Sequence, residues 1–96
     1  MEKRTSDRIK KRLQIKLNGK PAMLVNLNRV GLQLMVPVPP KNKKVKVILN
    51  VEGGDIALDA HIRWAQRIPG LRPMVHLGMS IEEAPENFYE LLDKIS

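Results

Sequence analysis

The sequence predicts an all-β fold, a small six-stranded antiparallel β-barrel with a C-terminal amphipathic α-helix. Three observations predict it. Of six short strand-like runs, five alternate apolar and polar side chains at period two, the spacing of a half-buried strand, and the sixth, "PAMLV", is continuously apolar. Turn-forming Gly, Pro and Asn punctuate these runs. Near the C-terminus the period changes to the three-and-four spacing of a helix. Antiparallel strands with one polar face close readily into a barrel, because closure removes the unpaired edges.

Residues 1–12, "MEKRTSDRIKKR", are mostly charged and lack an apolar face wide enough for a core helix, so they read as a flexible basic arm. Residues 13–96 form the barrel domain. "LQIKLN" places Leu13, Ile15 and Leu17 on one side and Gln14, Lys16 and Asn18 on the other. Asn18-Gly19 is a strong signal for a tight hairpin, and "PAMLV" returns as the second strand. In "LVNLNRVGLQL", residues 24–34, Asn26, Asn28, Arg29 and Gly31 form a polar hinge inside an otherwise apolar segment. The third strand, "LQLMV", puts Leu32, Leu34 and Val36 inward.

"PVPPKNKK" is a loop, since its three prolines remove backbone donors. "VKVILNV" then places Val45, Val47, Leu49 and Val51 on one face. After the turn "EGGD", "IALDAHIRWA" places Ile56, Leu58, Ala60, Ile62 and Trp64 inward, with Asp59, His61 and Arg63 outward. That parity predicts a largely buried Trp64 among Ile15, Leu34, Val47, Ile62 and Leu77. "PGLRP" breaks the chain, and "VHLGMSI" brings Val75, Leu77, Met79 and Ile81 inward. Phe88, Leu91, Leu92 and Ile95 make one helical stripe. Pro85 suits its first position, the glutamates its N-terminal end and Lys94 its last turn.

At 96 residues and net charge +7, the chain reads as one domain with an uneven charge distribution. Residues 1–46 carry thirteen of the seventeen Lys and Arg against Glu2 and Asp7, a balance of +11; residues 47–96 carry four against eight acids, a balance of −4. A basic half points to an anionic partner, whether nucleic acid, phosphorylated small molecule, acidic protein or membrane surface. With only Trp64, Phe88 and Tyr89 as aromatics, the chain has few platforms for stacking bases, which argues against a single-strand reader. The sequence has no cysteine, which excludes disulfides and thiolate metal clusters. No apolar run approaches the roughly 20 residues of a membrane span, and no signal-peptide pattern opens the chain. A cytoplasmic location is the expectation.

No catalytic pattern stands out. There is no nucleophile elbow and no phosphate-cradling GxxxxGK loop, and His61 and His76 fall short of the three or four ligands a zinc site requires. A non-enzymatic protein without metal or resident cofactor is expected. The arginines are more informative. RxxxR occurs as Arg4–Arg8, Arg8–Arg12 and Arg63–Arg67. Arg8 and Arg12 sit where the arm meets the first strand, and each guanidinium can grip a phosphate, stack on a base or bind the O6/N7 edge of guanine. In the hinge, Asn side chains accept, donate and close turns on their own backbone, while Gly31 permits positive φ or close approach of a ligand.

"RIKKR" followed by "NLNRVG" on this strand pattern resembles the PilZ domain family, small six-stranded barrels that bind the bacterial messenger cyclic diguanylate (cyclic di-GMP). The family pattern is RxxxR, then [DN]xSxxG between the second and third strands. "HIRWA" and "VHLGMSI" are similar to later family strands. The resemblance covers most of residues 8–95. It implies that Arg8 and Arg12 hold guanine and phosphate, that Asn26 reads a guanine edge and that Gly31 shapes the turn. Asn28 stands where the family has Ser, and is included among the ligand-binding candidates. The implied function is a bacterial signalling module: ligand orders the arm, and the changed surface acts on a protein effector. Two alternatives differ in class. One is a degenerate barrel of the same kind that serves as a protein-interaction module without ligand. The other is a nucleic-acid-binding barrel of the OB type.

Overall fold

The computed structural model describes residues 14–51 and 54–95, with Ile95 described in its backbone alone. The expected arm of residues 1–12, with Arg8 and Arg12, lies outside the described residues, as do Leu13 and the centre of the "EGGD" turn. The elements are β1 (Gln14–Leu17), β2 (Lys20–Leu27), β3 (Gly31–Val36), β4 (Lys44–Val51), β5 (Gly54–Ile68), β6 (Met74–Glu83) and α1 (Glu86–Ile95). The strands close into an antiparallel barrel in the order β1-β2-β3-β6-β5-β4. The predicted class, strand number and terminal helix are all present.

The alternation works as expected through β1, β3 and β4. Ile15, Leu17, Leu32, Leu34, Val36, Val45, Val47 and Leu49 are buried, and with Ile56, Leu58, Ala60, Val75, Leu77 and Met79 they fill the interior. No polar side chain is buried among the described residues. Asn18 and Gly19 both take positive φ, 51° and 86°, the backbone that a two-residue hairpin between Leu17 and Lys20 requires. Asn18 also fastens this turn to β4. Its backbone N–H donates to the Lys46 carbonyl at 2.9 Å, and its side-chain oxygen accepts from the Lys46 N–H at 3.0 Å.

Trp64 departs from its predicted place. It is 43% exposed, not buried. The alternation of "IALDAHIRWA" is unbroken in the sequence, but the pairing of β5 with β6 is not. Ile62 pairs with Met79 and Trp64 with Gly78, so Arg63 is an extra residue in a β-bulge. One extra residue reverses the facing of everything after it. Met79 and Leu77 point inward, so Gly78 and its partner Trp64 point outward.

Pro85 stands one residue before α1, its carbonyl accepting the Phe88 N–H at 3.0 Å. Glu86 begins the first turn and Lys94 lies in the last, as the helix dipole favours. Phe88 and Leu92 are buried in the same cluster as the barrel interior, and Tyr89 and Leu91 pack beside them. Since α1 follows directly from the C-terminal end of β6, these side chains stopper the barrel at that end.

Candidate functional site

The polar hinge joins β2 to β3, and each of its residues has a structural reason. A register shift between Leu24 and Asn26 leaves Val25 unpaired as a bulge, after which Asn26 pairs with Gln33 and faces outward. The Asn26 side-chain oxygen accepts the Leu27 N–H at 2.8 Å. The Asn28 side-chain oxygen accepts two backbone donors, the N–H groups of Val30 and Gly31, both at 2.9 Å. This Asx turn closes the connection, and the Asn28 N–H completes it by donating to the Gly31 carbonyl at 3.0 Å. The Val30 carbonyl accepts from the Ile81 N–H, which fastens the turn to β6. Arg29 projects the other way. Its guanidinium donates to Asp93 of α1 at 3.1 Å and lies 5.8 Å from the Tyr89 ring centroid, a cation–π contact.

Gly31 is needed for close approach, but to protein. Its φ is not positive; Gly19, Gly54 and Gly70 are the described glycines in that region. A Cβ at Gly31 would stand 2.5 Å from the Met79 carbonyl oxygen on β6. Backbone lies on both sides of this contact, so neither can yield without disturbing the β3–β6 ladder. Gly31→Ala is therefore expected to cost about 1–3 kcal/mol, the range for overpacking. Urea unfolding measures this, and an unchanged midpoint would show that the two strands do not approach so closely.

The hinge borders a cleft of about 300 Å³ on the outer face of β3, β6 and β5. Asn26, Asn28 and Gly31 line it from one side, and Arg63, Trp64, Gly78 and Ser80 from the other. The bulge in β5 builds this second wall. It turns the Trp64 indole outward to lie against Gly78, where any side chain on residue 78 would collide with the ring. His76 meets that ring edge-on, with centroids 4.9 Å apart, and is itself within 3.1 Å of the Gln33 side-chain oxygen. Arg63 donates through Nε to the Ser80 hydroxyl at 2.8 Å, and its Nη groups have no partner among the described residues.

The structure thus brings together three of the five predicted site residues, Asn26, Asn28 and Gly31, and leaves Arg8 and Arg12 outside the described residues. It adds Arg63 and Trp64, which sequence parity had assigned to opposite faces. The remaining hydrogen-bonding capacity is mostly of one kind. Asn28 spends its oxygen on two backbone donors, so it offers the cleft only its amide N–H groups. Asn26 offers its amide and a second lone pair, and Arg63 offers guanidinium donors. A flat aromatic face beside planar donors suits a planar, acceptor-rich ring, and the remaining guanidinium donors of Arg63 suit an anionic group attached to it. No family model, curated protein or solved structure matches this chain.

Proposed function

We propose that this barrel binds cyclic di-GMP in the cleft beside the β2–β3 hinge and acts as a non-enzymatic, cytoplasmic sensor of the PilZ type. The observation that carries the reading is the meeting of Asn26, Asn28, Arg63 and Trp64 around one open cleft. Guanine presents O6 and N7 as acceptors, which match amide and guanidinium donors. Its ring has a face for Trp64, and the phosphates match the basic half of the chain. The cleft volume stands at the lower end of ligand pockets, so it takes one guanine and part of the backbone. In this reading Arg8 and Arg12 cover the remainder from the arm, and the ordered arm signals to a protein effector.

Asn28 supports a second reading, in which the barrel is an interaction module without ligand. Its oxygen is committed to the turn, so the side chain cannot both hold the hinge and accept from a nucleotide. Calorimetry with cyclic di-GMP separates the two. The sensor reading expects heat of binding that is lost on Arg12→Ala and on Asn26→Ala. Asn28→Ser is expected to preserve or strengthen binding, because the shorter hydroxyl can serve the turn and leave more room. Wild-type protein with no heat and no shifted amide resonances at high ligand concentration would overturn the sensor reading. If Asn28→Ser then bound, the chain would be a degenerate sensor; if it did not, the interaction module would stand.

A further inference from the structure

The barrel end opposite the hinge carries two exposed apolar tips on loops that also bear five cations. Three connections meet there. The β1–β2 hairpin turns at Asn18 and Gly19, the β3–β4 loop spans residues 37–43, and the β5–β6 loop spans residues 69–73. The registers place them side by side. Met23 pairs with Met35, so three residues further out Lys20 comes toward Val38. Val36 pairs with Val75, so two residues further out Val38 comes toward Pro73. Val38 is 72% exposed, and Leu71 is fully exposed. Met23, 59% exposed, lies on the outer wall near the same end.

The residues of these loops carry charge of one sign, although Asp59, Glu82 and Glu83 share a groove with Asn18 and Lys44 on the barrel wall beside the β1–β2 turn. Residues 18–23, 37–43 and 67–74 contain Lys20, Lys41, Lys43, Arg67 and Arg72, and no Asp or Glu. Val38 is held between Pro37 and Pro39, and Leu71 lies between Pro69 and Pro73. Prolines stiffen these loops, so little entropy is lost when a tip is buried. They also have no N–H, so fewer backbone donors must leave water when the tip enters an apolar medium. An apolar tip on a donor-poor loop, with cations beside it in the same loops, is matched by a surface that is anionic outside and apolar just beneath.

We propose that this end of the barrel docks on an anionic lipid bilayer, with Val38 and Leu71 entering the interface and the five cations facing the headgroups. Two weak signals acting together make membrane binding stable where one does not. Each cation close to an anionic leaflet strengthens binding by about fivefold. A nucleic-acid backbone would use the cations but gain nothing from the two apolar tips. The cleft lies at the other ends of β2 and β3, so docking leaves it open. The proposal is independent of what the cleft binds.

Sedimentation of the full chain with phosphatidylcholine vesicles, with and without phosphatidylserine, tests it. The chain is expected to sediment with anionic vesicles and stay in solution with neutral ones. Val38→Ser with Leu71→Ser should weaken that binding about tenfold or more, and Lys41→Glu with Lys43→Glu should do likewise. All four positions are exposed, so circular dichroism should show the fold unchanged. Binding that survives both pairs and is lost only when Arg8 and Arg12 are replaced would assign it to the arm and overturn the proposal. Absence of binding to anionic vesicles would also overturn it, as would tighter binding to duplex DNA that Val38→Ser and Leu71→Ser leave unchanged.

Discussion

Phe88→Ala is expected to destabilise the protein by about 3–5 kcal/mol, the usual range for removing a buried large aromatic side chain. Phe88 has no exposed surface and sits in the same cluster as the barrel interior. Its ring also meets Tyr89 edge-on, with centroids 5.2 Å apart. The α1 helix has ten residues, too short to persist alone in water. It stays folded because Phe88 and Leu92 anchor it to the barrel. Removing the ring opens a cavity at the mouth of the core and detaches much of the helix. A domain of this length has a total stability on the order of 5–14 kcal/mol, so the loss is a large part of the whole. The α1 amides should lose hydrogen-exchange protection first. An unfolding midpoint within experimental scatter of wild type would show that the helix does not close the core.

Arg29 offers a contrast on the same helix. Its ion pair with Asp93 joins side chains that are 62% and 69% exposed, and water screens such pairs to well under about 1 kcal/mol. Apolar burial, not this pair, holds α1 in place.

The strands and the helix were legible because burial on one face imposes a period on the residues, and that period survives in the sequence. Ile15 and Leu17, Leu32 to Val36, and Val45 to Leu49 show it directly. The hinge was legible as a place, since two asparagines and a glycine interrupt apolar strands for a reason. Its roles were only half legible. Asn28 closes the turn by accepting two N–H groups, and Gly31 makes room for the Met79 carbonyl; both depend on backbone that a residue pattern does not display. Trp64 was misplaced for the same kind of reason. A β-bulge adds a residue to one strand without altering its composition, so the alternation through Ile62 and Trp64 reads as continuous. The one available signal was Gly78. A glycine inside a strand marks a bulge or a close neighbour, and here the neighbour is the Trp64 ring.

Trp64→Ala, in consequence, is expected to behave oppositely to Phe88→Ala, with a small change in stability and a large one in binding. The indole is partly in water and rests on Gly78 outside the core, so its removal leaves no cavity within the barrel. If guanine stacks on it, the loss is about 1–3 kcal/mol, or roughly five- to 150-fold in affinity. Arg63→Ala should cost a similar amount, since one good bidentate contact lies on that scale. Arg67→Ala should cost less, because Arg67 does not line the cleft. Trp64 is the sole tryptophan, so its fluorescence reports the site directly. The free protein should emit at the long wavelengths of a hydrated indole, and cyclic di-GMP should quench or shift that emission. A core-like emission maximum in the free protein would contradict the outward facing of the ring. Wild-type affinity in Trp64→Ala, together with lost affinity in Asn26→Ala, would place the base against the hinge alone and remove β5 from the site.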